Sequence, residues 1–284
     1  MNVTITGENG YISNEIALWL KSKDLEMNIK LISVRSELNI SNETDVLIHT
    51  AALVHNNENH FQESDYFNIN TDLTIRLAQK AKNKGVKHFI FFSTMAVYGL
   101  EQGQINSKSP LQPKTFYGKS KLAAEQALQA MQDEDFVVSI VRPPMIYGPN
   151  CPGNYSLLRK LARKTPIFPN VHNQRSMLFI DNLCEFINQL VINKNSGVFH
   201  PQDGTYICTS QMVLEIAKQN KHFILLSKIG GVMLMRTSLK FSLINKIFGS
   251  LTYSKDISQY NDNTYQRITF IDAIRITEQG WRKC

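Results

Sequence analysis

Along the first 200 residues, hydrophobic and polar positions form two patterns in turn: short strand-like runs and longer stretches with helical spacing. Short runs rich in β-branched and aromatic residues predict strands, and longer stretches with apolar residues three and four apart predict helices. The predicted strands lie near 2–6, 28–34, 45–49, 88–93, 137–142 and 197–200, and the predicted helices lie at 12–22, 65–83, 117–132 and 181–192. This alternation predicts an α/β fold built on a Rossmann-type, doubly wound parallel sheet.

The sequence becomes rich in Pro, Gly and Asn at two places beyond the fifth predicted strand. These shifts predict a dinucleotide-binding Rossmann domain formed by 1–148 and 177–204. They also predict a smaller, mainly helical α/β substrate domain formed by 149–176 and 205–284. Within the second domain, the segment 223–251 is apolar and basic. We interpret it as a packed helix because its apolar residues are not confined to one face, while a membrane-surface contact stays open.

Composition and charge restrict the class of protein. Of the 284 residues, 43% are hydrophobic and 19% are charged, which is typical of a folded enzyme with a sizeable core. Lys and Arg number 31 against 24 Asp and Glu, and the net charge of +7 suits an anionic ligand. The four cysteines have no spacing of a zinc or redox motif, so we expect no metal site. A strand-like run replaces any secretory signal and no apolar stretch reaches about 20 residues, so we expect a cytoplasmic protein without a membrane span.

Two glycines directly follow the first predicted strand. Gly7 permits a tight turn, and Gly10 lets backbone N–H groups approach a pyrophosphate at the N-terminus of the next helix. Ser13 occupies the third small position of this glycine pattern. The order of strand, glycine turn and helix predicts a dinucleotide site, in which Tyr11 and Ile12 also line the pyrophosphate.

The residues after the second predicted strand indicate whether a Rossmann domain uses NAD or NADP. An acidic residue there binds the adenosine ribose of NAD, whereas a nearby Arg accommodates the additional phosphate of NADP. Ser33 and Arg35 occupy this stretch and favour NADP(H) as the cofactor. NAD(H) stays open, because Glu37 would reach the ribose if the turn were shifted.

Four further polar residues predict a catalytic constellation. Tyr117 and Lys121 are four residues apart, so both project from one face of a helix. A phenol with a pKa near 10 is a poor acid–base group at neutral pH unless a cation stabilises its phenolate, and Lys121 supplies such a charge. Ser93 and Thr94 follow the fourth predicted strand, at the edge where ligands of doubly wound sheets bind.

Five motifs together make the chain resemble an extended short-chain dehydrogenase/reductase of the NAD-dependent epimerase/dehydratase family. They are Thr-Gly-x-x-Gly at 6–10, Asp-x-x-x-His-x-Ala-Ala at 45–52, Ser-Thr-x-x-Val-Tyr-Gly at 93–99, Tyr-x-x-x-Lys at 117–121 and Arg-Pro-x-x-x-Tyr-Gly-Pro at 142–149. The motifs span much of the chain, so the resemblance implies the fold and the use of a nicotinamide dinucleotide.

The resemblance also implies roles for individual residues. Tyr117 would give its proton to the C4 oxygen of a sugar as hydride arrives from the nicotinamide. Lys121 would lower the pKa of Tyr117 and bind the nicotinamide ribose, and Thr94 would hold the substrate oxygen. The remaining implied contacts are to the cofactor at Ala51, Ala52, Ser93 and Pro143, and to the diphosphate of a nucleotide sugar at Asn154 and Arg175.

Stretches at 47–57, 92–99, 149–154 and 200–203 are similar to bacterial capsule-biosynthesis proteins. That similarity implies reduction of the C4 ketone of a UDP-4-keto-6-deoxy-N-acetylhexosamine to UDP-N-acetylfucosamine or UDP-N-acetylquinovosamine. The alternatives are a UDP-hexose 4-epimerase that holds NAD tightly and a non-catalytic nucleotide-binding relative. We expect a UDP-linked sugar as the partner and no nucleic acid, since no basic stripe is interleaved with aromatic residues, and a homodimer stays open.

Overall fold

The computed structural model describes residues 1–35, 38–54, 61–228 and 248–281. Its strands are β1 Asn2–Thr6, β2 Asn28–Ile32, β3 Val46–His49, β4 His88–Phe92, β5 Gly103–Ile105, β6 Val137–Val141, β7 Met145–Tyr147, β8 Ile167–Pro169, β9 Met177–Phe179, β10 Gly197–Phe199, β11 Leu225–Ser227 and β12 Leu251–Tyr253. Its α-helices are α1 Tyr11–Lys23, α2 Glu63–Phe67, α3 Leu73–Asn83, α4 Phe116–Met131, α5 Asn154–Lys164, α6 Ile180–Asn193, α7 Thr209–Gln219 and α8 Phe270–Trp281. A π-helical turn, Asn68–Asp72, joins α2 to α3, and 3-10 helices cover Met95–Tyr98, Asp256–Ser258 and Asn261–Asn263.

Six parallel strands form the main sheet in the order β10-β6-β4-β3-β1-β2. The chain runs from β1 outward to β2 and then returns to β3 on the other side of β1, so the strand order reverses between β1 and β3. Thr6 at the end of β1 accordingly pairs with Ile32 on one side and with His49 on the other. Ligands of doubly wound sheets bind beyond the carboxyl ends of the strands at such a reversal. The predicted Rossmann-type sheet is confirmed.

The core of this sheet follows from the apolar faces of its helices. Leu77 and Ala81 of α3 are fully buried, as are Ala124 and Leu128 of α4, and these residues belong to one hydrophobic cluster with Phe89 of β4. Each helix thus buries residues three or four apart against the sheet, which is the spacing of one helical face.

The chain divides into two compact units. Unit 1 consists of 1–99, 109–143 and 183–201, and unit 2 consists of 100–108, 144–182 and 202–284. Unit 1 holds the six-stranded sheet. Unit 2 holds three parallel strand pairs, β7 with β9, β8 with β11 and β5 with β12, together with α5 and α8, which both pack on α7. The unit boundaries differ from the predicted domain boundaries in two ways. They shift by a few residues around β7 and β9, which pair with each other outside the main sheet, and 100–108 belongs to unit 2, where β5 pairs with β12. The domain division itself stays a prediction.

The positive charge of the chain is concentrated in unit 2. This unit contains 17 Lys and Arg against 8 Asp and Glu, whereas unit 1 contains 14 against 16. Part of the excess belongs to the basic apolar segment 223–251, of which residues 229–247 lie outside the described residues. Within the described part of the chain, every helix falls short of the length and apolar character that a membrane crossing demands.

Candidate active site

The loop after β1 has the backbone geometry of a pyrophosphate site. Gly7 has a φ of +89°, which favours glycine, and its N–H donates to the carbonyl of Ile32 at 3.0 Å. A Cβ on Gly10 would lie 2.9 Å from Oγ of Ser13, so glycine lets the loop close against α1. Gly10 is the N-cap residue of α1 and has no side chain that could cap the helix, so the N-terminus of α1 presents backbone N–H groups that suit an anion. This glycine cradle fits the dinucleotide that the sequence predicts.

The other predicted dinucleotide contacts occupy neighbouring ends of strands and helices. Four of them begin α1 or follow β3: Tyr11, Ile12, Ala51 and Ala52. The Ala51 N–H donates to Oγ1 of Thr6 at 3.4 Å, which holds the turn after β3 beside the end of β1. Pro143 follows β6, and its carbonyl accepts the N–H of Met95 at 3.2 Å. The end of β6 is therefore joined to the turn that begins with Thr94.

Ser33 and Arg35 lie directly after β2, where the sequence predicts the adenosine ribose. The side chain of Arg35 is exposed, and its backbone N–H donates to Oγ of Ser33 at 3.2 Å. An exposed guanidinium at this position is accessible to a ribose phosphate. Glu37, the alternative ribose-binding residue, lies outside the described residues. The preference for NADP(H) stays a prediction.

The structure brings Tyr117 and Thr94 together. Tyr117 lies in the first turn of α4 and shares a hydrogen bond with Thr94, whose Oγ1 also accepts the N–H of Ala96 at 3.1 Å. Gly118 permits this approach, because a Cβ there would lie 2.9 Å from the Ala96 carbonyl oxygen. Burial raises the pKa of Tyr117 to about 12, although the hydrogen bond with Thr94 opposes the increase. The phenol therefore keeps its proton at neutral pH.

Lys121 lies one helical turn after Tyr117, as the spacing predicts. Its side chain is buried, with Nζ 4.1 Å from the centre of the Phe91 ring. Burial lowers the pKa of Lys121 to about 7, although the Glu125 carboxylate opposes the decrease. The expectation that Lys121 lowers the pKa of Tyr117 stays a prediction. Desolvation acts on both groups, raising the pKa of the phenol and leaving the lysine only partly charged at neutral pH.

Sequence analysis missed the buried partner of this helix. Glu125 accepts hydrogen bonds from Arg142, from Nε to Oε1 at 3.0 Å and from Nη2 to Oε2 at 2.5 Å. Ser93, predicted to lie beside the nicotinamide, donates its hydroxyl hydrogen bond to the same carboxylate. Nη1 of Arg142 also donates to the hydroxyl of Tyr98 at 2.7 Å. The available signal was the four-residue spacing from Lys121 to Glu125, which continues the helical face of the Tyr-x-x-x-Lys motif.

Asn154 and Arg175 line one pocket within unit 2. Asn154 begins α5, and Arg175 lies just before β9, where its backbone bridges to Ile207. Nη1 of Arg175 donates to the carbonyl of Gly249 at 2.9 Å, which orients the guanidinium. The other lining residues are mostly apolar: Met145, Leu157, Leu158, Met177, Thr209 and Met212. A cation and an amide beside these apolar side chains suit an anionic group of a ligand.

Comparison with known proteins agrees with this geometry. The sequence model of the NAD dependent epimerase/dehydratase family matches residues 3–201. A UDP-glucose 4-epimerase of Vibrio cholerae is 31% identical over 246 residues, which cover 76% of this chain and 75% of that protein. This family model matches well over half of the chain, including every motif from the glycine loop to the strand β10.

Two solved structures show the same fold. The UDP-glucuronic acid 4-epimerase of Bacillus cereus, in complex with NAD, superposes with a TM-score of 0.77 at 16% identity and covers 100% of this chain and 97% of its own. A dTDP-4-dehydrorhamnose reductase of Clostridium acetobutylicum superposes with a TM-score of 0.67 at 22% identity, covering 80% and 83%. The fold, the glycine cradle, the Tyr–Lys helix and the family match lead to one conclusion: the chain belongs to the NAD-dependent epimerase/dehydratase family.

Proposed function

We propose that this protein reduces the C4 ketone of a UDP-4-keto-6-deoxy-N-acetylhexosamine with NAD(P)H. The product would be UDP-N-acetylfucosamine or UDP-N-acetylquinovosamine, for a capsule or another surface polysaccharide. The observation that carries the proposal is the hydrogen bond between Thr94 and Tyr117 beside the carboxyl end of β4. A proton donor beside a second hydroxyl supports binding of a carbonyl oxygen by both groups.

In the proposed reaction, the cofactor is the hydride donor, and the protein supplies the proton and the binding groups. A reduced nicotinamide dinucleotide, when bound, would supply a hydride to C4, so that the ketone becomes an alcohol and the dinucleotide is oxidised. Tyr117 donates its phenolic proton to the C4 oxygen, while Thr94 holds that oxygen by a hydrogen bond. Lys121 binds the nicotinamide ribose. The Gly7–Gly10 loop binds the pyrophosphate through backbone N–H groups.

The pocket of Asn154 and Arg175 supports a nucleotide-linked sugar as substrate. A guanidinium makes two parallel hydrogen bonds to phosphate oxygens, so Arg175 suits a diphosphate. Burial lowers the pKa of Arg175, yet a guanidinium starts from a value so high that it keeps its charge at neutral pH.

The cofactor we propose is NADP(H), with NAD(H) as the alternative. The exposed Arg35 directly after β2 supports the first choice, because an extra ribose phosphate needs a cation there. An exchangeable reduced cofactor is also what net reduction requires.

The second candidate function is a UDP-hexose 4-epimerase with tightly held NAD. It is favoured by the 31% identity with the UDP-glucose 4-epimerase of Vibrio cholerae. An epimerase must first remove the proton from a C4 hydroxyl, whereas a reductase gives a proton to a C4 oxygen. Both functions use the phenol of Tyr117, as an acid in a reductase and as a base and then an acid in an epimerase, so an assay of the reaction is needed to separate them.

One assay separates the two candidates. The protein is incubated with UDP-4-keto-6-deoxy-GlcNAc and either NADPH or NADH, and the absorbance of the reduced nicotinamide is followed. In parallel, UDP-glucose and UDP-GlcNAc are incubated without added cofactor, and their conversion is followed by NMR. Stoichiometric cofactor consumption with a C4 alcohol as product supports the reductase. Interconversion of C4 epimers without consumption replaces the proposal with the epimerase, and inactivity in both arms overturns it.

A further inference from the structure

One buried ion pair lies beneath the proposed catalytic residues. Glu125 on α4 is 1% exposed, and Arg142, directly after β6, is 6% exposed. Arg142 binds the carboxylate through Nε at 3.0 Å and through Nη2 at 2.5 Å, so both carboxylate oxygens are engaged. A bidentate pair fixes the orientation of its partners as well as their separation. Each buried charge here has its counter-charge.

The same pair reaches three further segments of unit 1. Ser93, at the end of β4, donates its hydroxyl hydrogen bond to Glu125. Nη1 of Arg142 donates to the Tyr98 hydroxyl at 2.7 Å, and that hydroxyl lies 2.7 Å from Nε2 of His200, after β10. The ends of β4, β6 and β10 are thus connected to the helix that carries the proposed acid.

Lys121 is the second cation near this carboxylate, one helical turn before Glu125. The Phe91 ring covers its Nζ from β4, and His49 faces it from β3. Burial and the charge of Lys121 lower the pKa of His49 to about 3, so that imidazole is neutral at physiological pH. On α4 itself, Tyr117 keeps its proton. Among these groups, Glu125 supplies the negative charge that acts on Lys121.

We propose that Glu125 is a positioning residue with two effects. Its carboxylate balances the positive charge of Lys121 across one helical turn, and together with Arg142 it fixes the strand ends that carry the proposed catalytic residues. The inference rests on the proposed function, because Lys121 is taken there to act on the cofactor ribose. It assigns two linked tasks to one side chain: maintaining the ammonium form of Lys121 and holding Ser93 beside Thr94.

The test measures the titration of Lys121 in two variants. Protein with ¹³C-labelled lysine is titrated by NMR, and the Lys121 signal is assigned by its loss in Lys121→Met. Glu125→Gln removes the negative charge, so the pKa of Lys121 falls by about one unit or more. Arg142→Gln leaves the carboxylate to Lys121 alone, so the pKa of Lys121 rises. A purely structural role would open the core in both variants and shift both titrations upward.

Two controls keep the test specific. Glu125→Asp retains the charge and keeps the titration of Lys121 close to that of the wild type. Glu185→Gln removes another buried carboxylate of unit 1, which accepts from Nε1 of Trp19 at 3.1 Å, and leaves Lys121 unchanged. If Glu125→Gln does not fold, the double variant Glu125→Gln/Arg142→Gln, which removes both members of the buried pair, is compared with Arg142→Gln. A lower pKa of Lys121 in the double variant supports the proposal, and an equal one overturns it. An unchanged or lowered pKa of Lys121 in Arg142→Gln, or an unchanged one in Glu125→Gln, overturns the proposal.

Turnover supplies an independent readout. If the reductase assay succeeds, the alkaline decline of kcat/KM moves to lower pH in Glu125→Gln, by the same amount as the NMR titration. If the wild type does not reduce the keto sugar, the proposed function fails while the NMR titration still decides the role of Glu125. Activity of the wild type with no shift in either readout rejects only the positioning role.

Discussion

Replacing Tyr117 by Phe removes one oxygen atom, and the structure indicates that the fold tolerates this loss. Tyr117 is partly buried in the first turn of α4, and its hydroxyl shares a hydrogen bond with Thr94. A hydrogen bond between neutral side chains contributes about 0.5–1.5 kcal/mol to stability. That loss is small against the roughly 5–15 kcal/mol of a typical folded protein. The variant is therefore expected to fold.

Turnover is expected to respond much more strongly than stability. Loss of a positioned proton donor lowers kcat by about 10²–10⁴-fold, and this corresponds to about 2.7–5.5 kcal/mol of transition-state stabilisation. The affinity for NADPH should stay within a few fold, because the pyrophosphate binds the Gly7–Gly10 loop and not the phenol. Stopped-flow absorbance of the reduced nicotinamide measures kcat, NADPH fluorescence measures Kd, and circular dichroism measures Tm.

A matched variant separates chemistry from folding. The Tyr206 hydroxyl donates to the Tyr253 carbonyl at 2.8 Å in unit 2, so Tyr206→Phe removes a comparable hydrogen bond that involves neither Tyr117 nor Thr94. It should leave kcat within a few fold of the wild type. Turnover of Tyr117→Phe within tenfold of the wild type would refute the assignment of Tyr117 as the proton donor.

Three more variants test other parts of the site. Arg35→Ala should weaken NADPH binding by about 10–100-fold, the value of one or two charge-assisted hydrogen bonds, and NADH binding by much less; equal losses reject the NADP assignment. Arg175→Ala should raise the KM for the UDP-sugar by about 10–100-fold. Arg163 is exposed, and Arg163→Ala should leave this KM unchanged. An unchanged KM in Arg175→Ala removes Arg175 from the proposed substrate site. Gly99→Ala places a Cβ 1.9 Å from the Gln112 carbonyl oxygen at a φ of +65°. It should lower the unfolding free energy by clearly more than Gly85→Ala, where φ is +79° and nothing lies within 4 Å; equal losses in denaturant titrations contradict this close packing.

Local sequence determined the elements of the main sheet. Continuous apolar runs such as 88–92 predicted buried parallel strands, and all six predicted strands occur in the sheet. The glycine turn after β1 was equally predictable, because two glycines between a strand pattern and a helix pattern are a local signal. Spacing alone also placed Tyr117 and Lys121 on one helical face, since four residues make about one helical turn.

Tertiary structure decided which distant groups meet and how strongly water is excluded from them. Glu125 lies on α4, and Arg142 directly follows β6. They pair because β6 lies beside β4 in the sheet and α4 packs against β6. No local pattern contains that strand order. The lowered pKa of Lys121 likewise follows from burial, with the Phe91 ring against its Nζ, and no local sequence pattern contains that information.

The sequence by itself thus determined the residue types of the proposed chemistry and the faces that carry them. Only the folded chain determined their charge states and their partners, because desolvation and ion pairing act through space between segments far apart in the sequence. The same holds for Asn154 and Arg175, which are 21 positions apart and share one pocket only after α5 and the segment before β9 have packed within unit 2.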